Sequence, residues 1–297
     1  MTRPVIYHRT TRVAGVDIFY REAGERGAPV VVLLHGFPSS SHMFRNLIPA
    51  LADSYHVIAP DLPGFGLSEM PPSSAFEYGF AAFSNVVASL LEQLHVEHYA
   101  LYVMDYGAPT GFRVALAHPD RVTALIIQIG NAYDDGMGDF WAPTRAYWAD
   151  NGPVNRDAMR PFLSLDGTRF QYLAGTKDAA RIDPAAWLYD QHFLDRPGSK
   201  EIQLDIIYDY RTNLTLYPAF HAYFRKHRPP ALILWGENDP IFLPDGARAF
   251  LRDLPNAELH FFDAGHFALE DKADEMIPVM RDFLARNLTQ QPKLWEG

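Results

Sequence analysis

The sequence has no cysteine, no long apolar run and no excess of basic residues. Without cysteine, the chain can form neither a disulfide bond nor a zinc–thiolate site, and no thiolate can act as a nucleophile. No run approaches the roughly 18 apolar residues that a membrane-spanning helix needs. The 26 basic and 36 acidic residues give a formal net charge of -10, which opposes attraction to nucleic acid or to an anionic membrane surface.

The rest of the composition is that of an ordinary globular protein. Hydrophobic residues make up 48% of the 297 residues and charged residues 21%, which suits one large domain or a core with an insertion. Aromatic residues make up 13%, and this suits an apolar ligand cavity as well as a plain core. The chain starts Met1-Thr2-Arg3-Pro4 and shows no apolar signal core, so we expect a soluble, cytoplasmic protein.

Short apolar segments alternate with helical segments in the first half of the chain and again near its end. Residues 30–34 form a continuous run of Val and Leu that ends at His35-Gly36, as is typical of a central parallel strand. The other predicted strands are residues 13–20, 55–59, 100–104, 124–129, 231–235 and 258–262. The predicted helices are residues 42–51, 78–94, 107–118, 244–254 and about 270–287. This order predicts an α/β fold with a mostly parallel central sheet and helices on both faces.

Residues 131–228 interrupt this alternation. They contain no clear strand and are rich in Trp and Tyr, and their helical segments fall at 143–149, 184–193 and 202–213. The strand–helix pattern resumes after Pro229-Pro230. We therefore predict an α/β core made of residues 1–130 and 229–297, with a mainly helical cap domain over 131–228. The alternative is one continuous domain whose middle is helical.

The first candidate for chemistry is Asp105, in the sequence Leu-Tyr-Val-Met-Asp-Tyr-Gly at 101–107. A strand runs directly into this aspartate, Gly107 follows two positions later, and a helix begins at once. Such a strand–turn–helix elbow exposes its central side chain at the edge of the sheet and directs backbone N–H groups at it. The simpler interpretation is that Asp105 only caps the helix.

Three further segments follow predicted strands and share that sheet edge. His35-Gly36-Phe37-Pro38 places the backbone N–H of Phe37 there, as a second oxyanion donor beside that of Tyr106. Asp239 and His266 follow the last two strands. Catalytic groups of open α/β sheets gather at the carboxyl ends of the strands. Nucleophile, acid and histidine also occur in the chain order expected for this fold, which favours a catalytic role for Asp105.

These motifs resemble the α/β-hydrolase superfamily over essentially the whole chain, including the cap. Residues 61–68, Asp-Leu-Pro-Gly-Phe-Gly-Leu-Ser, also resemble a D-x-x-G-x-G-x-S turn of that superfamily. Their glycines do not have the G-x-G-x-x-G spacing of a dinucleotide-binding loop.

With an aspartate at the elbow, the sequence resembles two groups of this superfamily, the epoxide hydrolases and the haloalkane or haloacid dehalogenases. The resemblance implies that Asp105 attacks a substrate carbon and forms a covalent ester. His266 would then activate water to hydrolyse this ester, while Asp239 orients and stabilises the imidazole. The chemistry needs water and no cofactor or metal, and the implied substrate is a small apolar organic molecule.

The leaving group separates the two activities. An epoxide oxygen must be protonated, and in epoxide hydrolases a pair of cap tyrosines does this. Tyr210 lies in a Tyr-Arg-x-Asn element that resembles one of them, and Tyr147 lies near the position of the second. A halide needs only N–H donors, typically a Trp after the nucleophile and an Asn or Trp elsewhere. Tyr106 and Phe37 occupy two of those positions here, which favours the epoxide.

Other residues favour a dehalogenase. Val103 stands where epoxide hydrolases usually have Gly, Met104 stands where His is common, and Trp148 could donate to a halide. The arginine that follows the nucleophile in fluoroacetate-type dehalogenases is absent, because Tyr106 is there. We predict an epoxide hydrolase, with a dehalogenase as the alternative and a non-catalytic ligand-binding protein as a third hypothesis. The protein could assemble as a homodimer.

Overall fold

The computed structural model describes residues 4–288. Its centre is one sheet of eight strands in the order β1-β2-β4-β3-β5-β6-β7-β8. The strands are β1 (Ile6–Val13), β2 (Val16–Ala23), β3 (Val30–Leu34), β4 (His56–Pro60), β5 (Tyr99–Met104), β6 (Val122–Gln128), β7 (Ala231–Gly236) and β8 (Glu258–Phe262). Strand β2 pairs antiparallel with β1 and β4, and all pairs from β4 to β8 are parallel. The predicted mostly parallel sheet is confirmed.

Eleven α-helices accompany the sheet in the described part of the chain. They are α1 (Leu47–Leu51), α2 (Phe80–Gln93), α3 (Gly107–Ala117), α4 (Ala142–Ala149), α5 (Pro153–Ala158), α6 (Leu165–Leu173), α7 (Pro184–Leu194), α8 (Ser199–Asp209), α9 (Arg211–His227), α10 (Pro244–Ala249) and α11 (Ala268–Asn287). Helix α11 contacts α1 and strands β6 and β7, whereas α2 and α3 form another contacting group. Helices in both groups cover the apolar central strands, and β4, β5 and β7 are buried along their whole length, as expected for a parallel sheet inside an α/β fold.

One difference from the predicted elements is at the start of the chain. Residues 13–20 were expected to form one strand, but a tight turn at Ala14 and Gly15, with φ of 48° and 84°, splits this segment into the β1–β2 hairpin. Apolar residues continue through the turn, so their pattern did not reveal the reversal. The helical segment predicted over 202–213 is confirmed except at Tyr210, where α8 ends at Asp209 and α9 begins at Arg211.

The segment between β6 and β7 contains α4 to α9 and no strand, which agrees with its predicted helical content. Its loop after α6 contacts the edge of the sheet: a Cβ atom on Gly265 would lie 1.9 Å from the carbonyl oxygen of Ala174. The Arg181 guanidinium also bonds to the Asp271 carboxylate at 3.1 Å. These contacts place the helical segment beside the carboxyl ends of the strands. The division into a core and a cap domain stays a prediction.

Within residues 4–288, no helix is long and apolar enough to cross a membrane.

Candidate active site

Asp105 occupies the turn between β5 and α3. Its φ of 47° lies in the left-handed region, which non-glycine residues rarely adopt. The turn closes tightly, since a Cβ atom on Gly107 would lie only 2.3 Å from the carbonyl oxygen of Leu34. Only glycine fits at position 107, because any side chain there would push the helix away from β3. The sequence therefore forms the strained elbow that its Asp-Tyr-Gly segment predicts.

The carboxylate of Asp105 faces backbone donors. Its Oδ1 accepts a hydrogen bond of 2.7 Å from the N–H of Phe37. Burial raises the pKa of Asp105, and the opposing influences come from His266 and from the backbone N–H groups of Phe37 and Tyr106. The two N–H groups expected as oxyanion donors therefore both act on this carboxyl group.

His266 lies in the loop between β8 and α11 and is 1% exposed. Its Nδ1 lies 2.9 Å from Oδ2 of Asp239, and its Nε2 lies 3.9 Å from Oδ2 of Asp105. The other oxygen of Asp239 accepts an N–H from Ile241 at 2.8 Å, which holds the carboxylate in place. The buried Nε2 has no hydrogen-bond partner. The sequence-predicted trio of Asp105, Asp239 and His266 is therefore brought together, with one imidazole nitrogen free to face Asp105.

Two opposing influences set the charge of His266. Burial disfavours its cation, but the carboxylates of Asp239 and Asp105 together outweigh burial and raise the pKa of His266. The contact with Asp239 also favours the tautomer whose proton is on Nδ1. In the neutral state, Nε2 is then a proton acceptor.

His35 and the Asp61–Ser68 turn support the neighbouring loops. Nε2 of His35 accepts the N–H of Leu62 at 3.0 Å, and burial lowers the pKa of His35. The two Asp61 oxygens accept backbone N–H groups of Ser41 and Leu67 at 2.7 and 2.8 Å. These bonds tie the loop after β3 to the loop after β4, so both motifs serve the shape of the site.

Asp105 opens into a cavity with mainly apolar walls. The apolar lining consists of Phe37, Phe140, Trp141, Met159, Phe162, Ile207 and Ile241, and the remaining lining residues are Asp105, Tyr106, Thr144, Gln171 and Tyr210. Most of these residues come from the helical segment between β6 and β7. A wider cleft lies at the opposite end of the strands, near Val30 and Tyr99, far from the elbow. The cavity at Asp105 is the one that matches the chemistry.

Tyr210 lines this cavity from the start of α9. It is 1% exposed, and its ring stacks on Trp148 with the centroids 5.8 Å apart. Its buried hydroxyl makes no hydrogen bond, although the hydroxyl of Tyr217 lies beside it. Burial, followed by Tyr217 and Asp105, raises the pKa of Tyr210 well above its ordinary value. The hydroxyl therefore keeps its proton at neutral pH and is available as a donor.

Tyr147 and Trp148, two other residues expected at the site, do not line the cavity. The Tyr147 hydroxyl accepts a hydrogen bond from Arg156 at 2.9 Å and contacts the carbonyl oxygen of Leu204 at 3.3 Å. The indole N–H of Trp148 donates to the carbonyl oxygen of Ile207 at 2.7 Å. Both polar groups already have partners in the helical segment, so the structure does not bring them to Asp105.

Sequence reasoning missed Thr144 and Gln171 in the cavity lining. Thr144 precedes Tyr147 by three residues on nearly the same face of α4. Thr144 lines the cavity, whereas the Tyr147 hydroxyl is bonded to Arg156 and Leu204. Gln171 lies on α6, where no sequence motif marked it. In the described residues, no group of three or more His, Asp or Glu side chains is arranged to hold a metal ion.

Comparisons with known proteins agree with this architecture. A family described as "alpha/beta hydrolase fold" matches residues 29–273. An uncharacterized hydrolase of Saccharomyces cerevisiae is 43% identical over 284 residues, which are 93% of this chain and 97% of that one. A haloalkane dehalogenase of Psychrobacter cryohalolentis is 41% identical over 281 residues, covering 91% of this chain and 88% of that one.

A solved structure shares the fold of the whole described chain. The epoxide hydrolase CorEH superposes with a TM-score of 0.77 at 23% identity, covering 95% of this chain and 98% of the other. At that identity the likeness concerns the fold alone. The family match and the yeast relative make the chain a hydrolase.

Proposed function

The chain belongs to the α/β-hydrolase family, and from this premise we propose that it opens an epoxide to a diol through a covalent ester on Asp105. The observation that carries this proposal is the hydroxyl of Tyr210, which is buried, unpartnered and in the same cavity as Asp105. An epoxide needs a proton donor opposite the nucleophile, whereas a halide does not. In this proposal, residues 131–228 act as the cap that closes the cavity over Asp105.

In the first half-reaction, a carboxylate oxygen of Asp105 attacks an epoxide carbon. The bond from that carbon to the epoxide oxygen breaks, and the oxygen takes the proton of the Tyr210 hydroxyl. The products are an alkyl ester on Asp105 that carries a hydroxyl group, and a tyrosinate at Tyr210. The apolar cavity walls suit the hydrocarbon part of such a substrate.

In the second half-reaction, Nε2 of His266 takes a proton from water while the water oxygen attacks the carbonyl carbon of the ester. Negative charge then builds up on the carbonyl oxygen, where the N–H groups of Phe37 and Tyr106 stabilise it. The Asp239 carboxylate, 2.9 Å from Nδ1, stabilises the imidazolium that forms. In the collapse, the bond from the carbonyl carbon to the alkyl oxygen breaks, and this oxygen takes the remaining proton of the attacking water, which releases the diol and the Asp105 carboxylate. The proton on His266 returns through water to the Tyr210 oxygen.

Removal of the Tyr210 hydroxyl tests the choice of an epoxide. We expect Tyr210→Phe to lower the rate of diol formation by at least about 100-fold, because the leaving oxygen loses its acid. Diol and halide are assayed separately over a panel of epoxides and haloalkanes. Any halide release should be largely unchanged in this variant.

A matched control exists on the same helix. Tyr223 on α9 also has a buried hydroxyl without a partner, but it does not line the cavity. Tyr223→Phe should therefore leave diol formation unchanged. Halide release by the parent enzyme without any diol would overturn the epoxide assignment, and equal loss of both activities in Tyr210→Phe would show a structural role for this residue.

The raised pKa of His266 predicts different pH profiles for the two half-reactions. Hydrolysis of the ester needs neutral His266, so its rate should fall when the pH drops through the pKa of His266, which the Asp239 carboxylate raises and the uncharged ester of Asp105 no longer raises. Formation of the ester should persist to lower pH, because the imidazolium favours the ionised form of Asp105. Acid quenching followed by mass spectrometry should show more esterified enzyme at lower pH. Identical pH profiles for the two steps would contradict the assigned roles.

A haloalkane dehalogenase is the second candidate, and the 41% identical relative favours it. The indole N–H of Trp141, which lines the cavity, donates to the carbonyl oxygen of Ile241 at 2.7 Å. That of Trp148 is bonded to Ile207. Neither indole in this part of the described structure offers a free N–H to a halide, so the lining supports this candidate less well than the epoxide hydrolase.

A further inference from the structure

Gln171 presents a second buried polar group at the cavity of Asp105. It lies on α6, is 5% exposed and lines the cavity together with Asp105 and Tyr210. Its amide Nε2 is buried and has no hydrogen-bond partner. Burial of an amide without a partner destabilises the folded protein, and such groups are uncommon unless a ligand completes them.

The packing of α6 holds Gln171 in this position. The Thr168 hydroxyl, three residues earlier, donates to Oε1 of Gln191 at 2.7 Å. The Tyr172 hydroxyl, one residue later, donates to the carboxyl group of Asp190. Both partners lie on α7, so one bond on each side of Gln171 fixes the rotation of α6 about its own axis. The amide is thereby directed to the cavity by the helix pair rather than by a flexible loop.

The ring of Tyr172 strengthens this placement. It stacks on Phe267, the residue after His266, with the centroids 3.9 Å apart and an angle of 4° between the planes. Helix α6 is therefore held against the loop that carries the proposed base.

We propose that the Gln171 amide donates an N–H to the epoxide oxygen as it leaves, beside the Tyr210 hydroxyl. The inference rests on the proposed epoxide hydrolysis and gives Gln171 the second-donor position that the sequence had suggested for Tyr147. Tyr147 is excluded from it by its bonds to Arg156 and Leu204. The lining also has the hydroxyls of Thr144 and Tyr106, but Gln171 is the residue that, like Tyr210, has a buried polar atom without a partner.

The amide would act without losing its proton. As Asp105 attacks and the carbon–oxygen bond breaks, negative charge grows on the leaving oxygen, and the amide N–H stabilises it by a hydrogen bond. Tyr210 supplies the proton that this oxygen finally carries. A donor that acts on developing charge accelerates ester formation more than it strengthens substrate binding.

Gln171→Leu removes the donor and keeps a side chain of similar size. In rapid acid quenching, the rate constant for ester formation should fall by about tenfold or more. The dissociation constant of the substrate, taken from the concentration dependence of that rate constant, and the rate of ester hydrolysis should stay within about twofold. Thermal unfolding should show no loss of stability, because the variant removes an unpaired buried amide. Gln93→Leu is the control, since Gln93 is exposed and its amide bonds to Thr11 at the surface.

The basicity of the leaving oxygen distinguishes a donor role of Gln171 from a role in substrate binding. Propylene oxide and its trifluoromethyl analogue are similar in shape, but the alkoxide of the analogue is much less basic and needs less help from a donor. The loss caused by Gln171→Leu should therefore be larger with propylene oxide. An equal loss with both substrates, or a change confined to the dissociation constant of the substrate, would overturn the proposal and make Gln171 a binding residue for another part of the substrate.

The experiment distinguishes failure of the proposed epoxide hydrolysis from failure of the proposed role of Gln171. If the parent enzyme forms neither ester nor diol with either epoxide, the epoxide assignment itself is wrong. If the parent forms both and Gln171→Leu forms the ester at the parent rate, only the role of Gln171 is wrong.

Discussion

Asp105→Ala should lose diol formation almost completely, with kcat lowered by at least about 10⁴-fold. The proposed reaction passes through an ester on this residue, and alanine provides no oxygen to form it. The donors at Phe37 and Tyr106, together with His266, would remain, but they would have no ester carbonyl on which to act. Any residual rate would have to come from direct attack of water on the epoxide.

The unusual backbone of Asp105 calls for a second variant. Its φ of 47° disfavours alanine as well as aspartate, whereas glycine adopts this conformation readily. Asp105→Gly should therefore remain folded by thermal unfolding and circular dichroism, and it should be equally inactive. The control is Asp120→Ala, an exposed carboxylate just beyond α3, which should keep full activity. Substantial turnover in folded Asp105→Gly would rule out the covalent mechanism.

His266→Gln should accumulate the ester instead of turning it over. The attacking carboxylate is intact, so the first half-reaction proceeds. Hydrolysis should slow by at least about 100-fold, because glutamine cannot take the proton of water. Intact-protein mass spectrometry after incubation with an epoxide should reveal the adduct, and peptide mapping should place it on Asp105.

The mass of this adduct also identifies the leaving group. An epoxide adds in full, since its oxygen stays on the product as a hydroxyl group, so the enzyme gains the whole mass of the substrate. A haloalkane adds without its halogen, so the gain is smaller by the mass of the hydrogen halide. His98→Gln, at an exposed position, should show no adduct at steady state. Absence of any adduct on folded His266→Gln would contradict a covalent intermediate.

The elements of the core were predictable because their signals are local. A continuous apolar run indicates a strand buried on both faces, and a polar residue followed by Gly and a helix indicates an elbow. Strands β3 and β8 have the predicted bounds. The β1–β2 hairpin was missed, because its turn at Ala14 and Gly15 does not interrupt the run of apolar residues.

The meeting of Asp105, Asp239 and His266 was also foreseeable without coordinates. Each follows a strand predicted to be parallel to the others, and the carboxyl ends of parallel strands lie along one edge of the sheet. A prediction of which residues share an edge needs only the direction of the strands. The 2.9 Å contact between His266 and Asp239 came from the tertiary structure, because the loops that bring them together follow no simple period.

The sequence by itself determined the α/β core, the elbow at Asp105 and the order of the polar groups along the sheet edge. Only the tertiary structure decided which residues of the helical segment line the cavity. Tyr147 and Thr144 lie one turn apart on nearly the same face of α4, but the Tyr147 hydroxyl is bonded to Leu204 and Arg156, whereas Thr144 lines the cavity. This difference, like the direction of Gln171, is set by packing between helices distant in sequence, to which no local pattern refers.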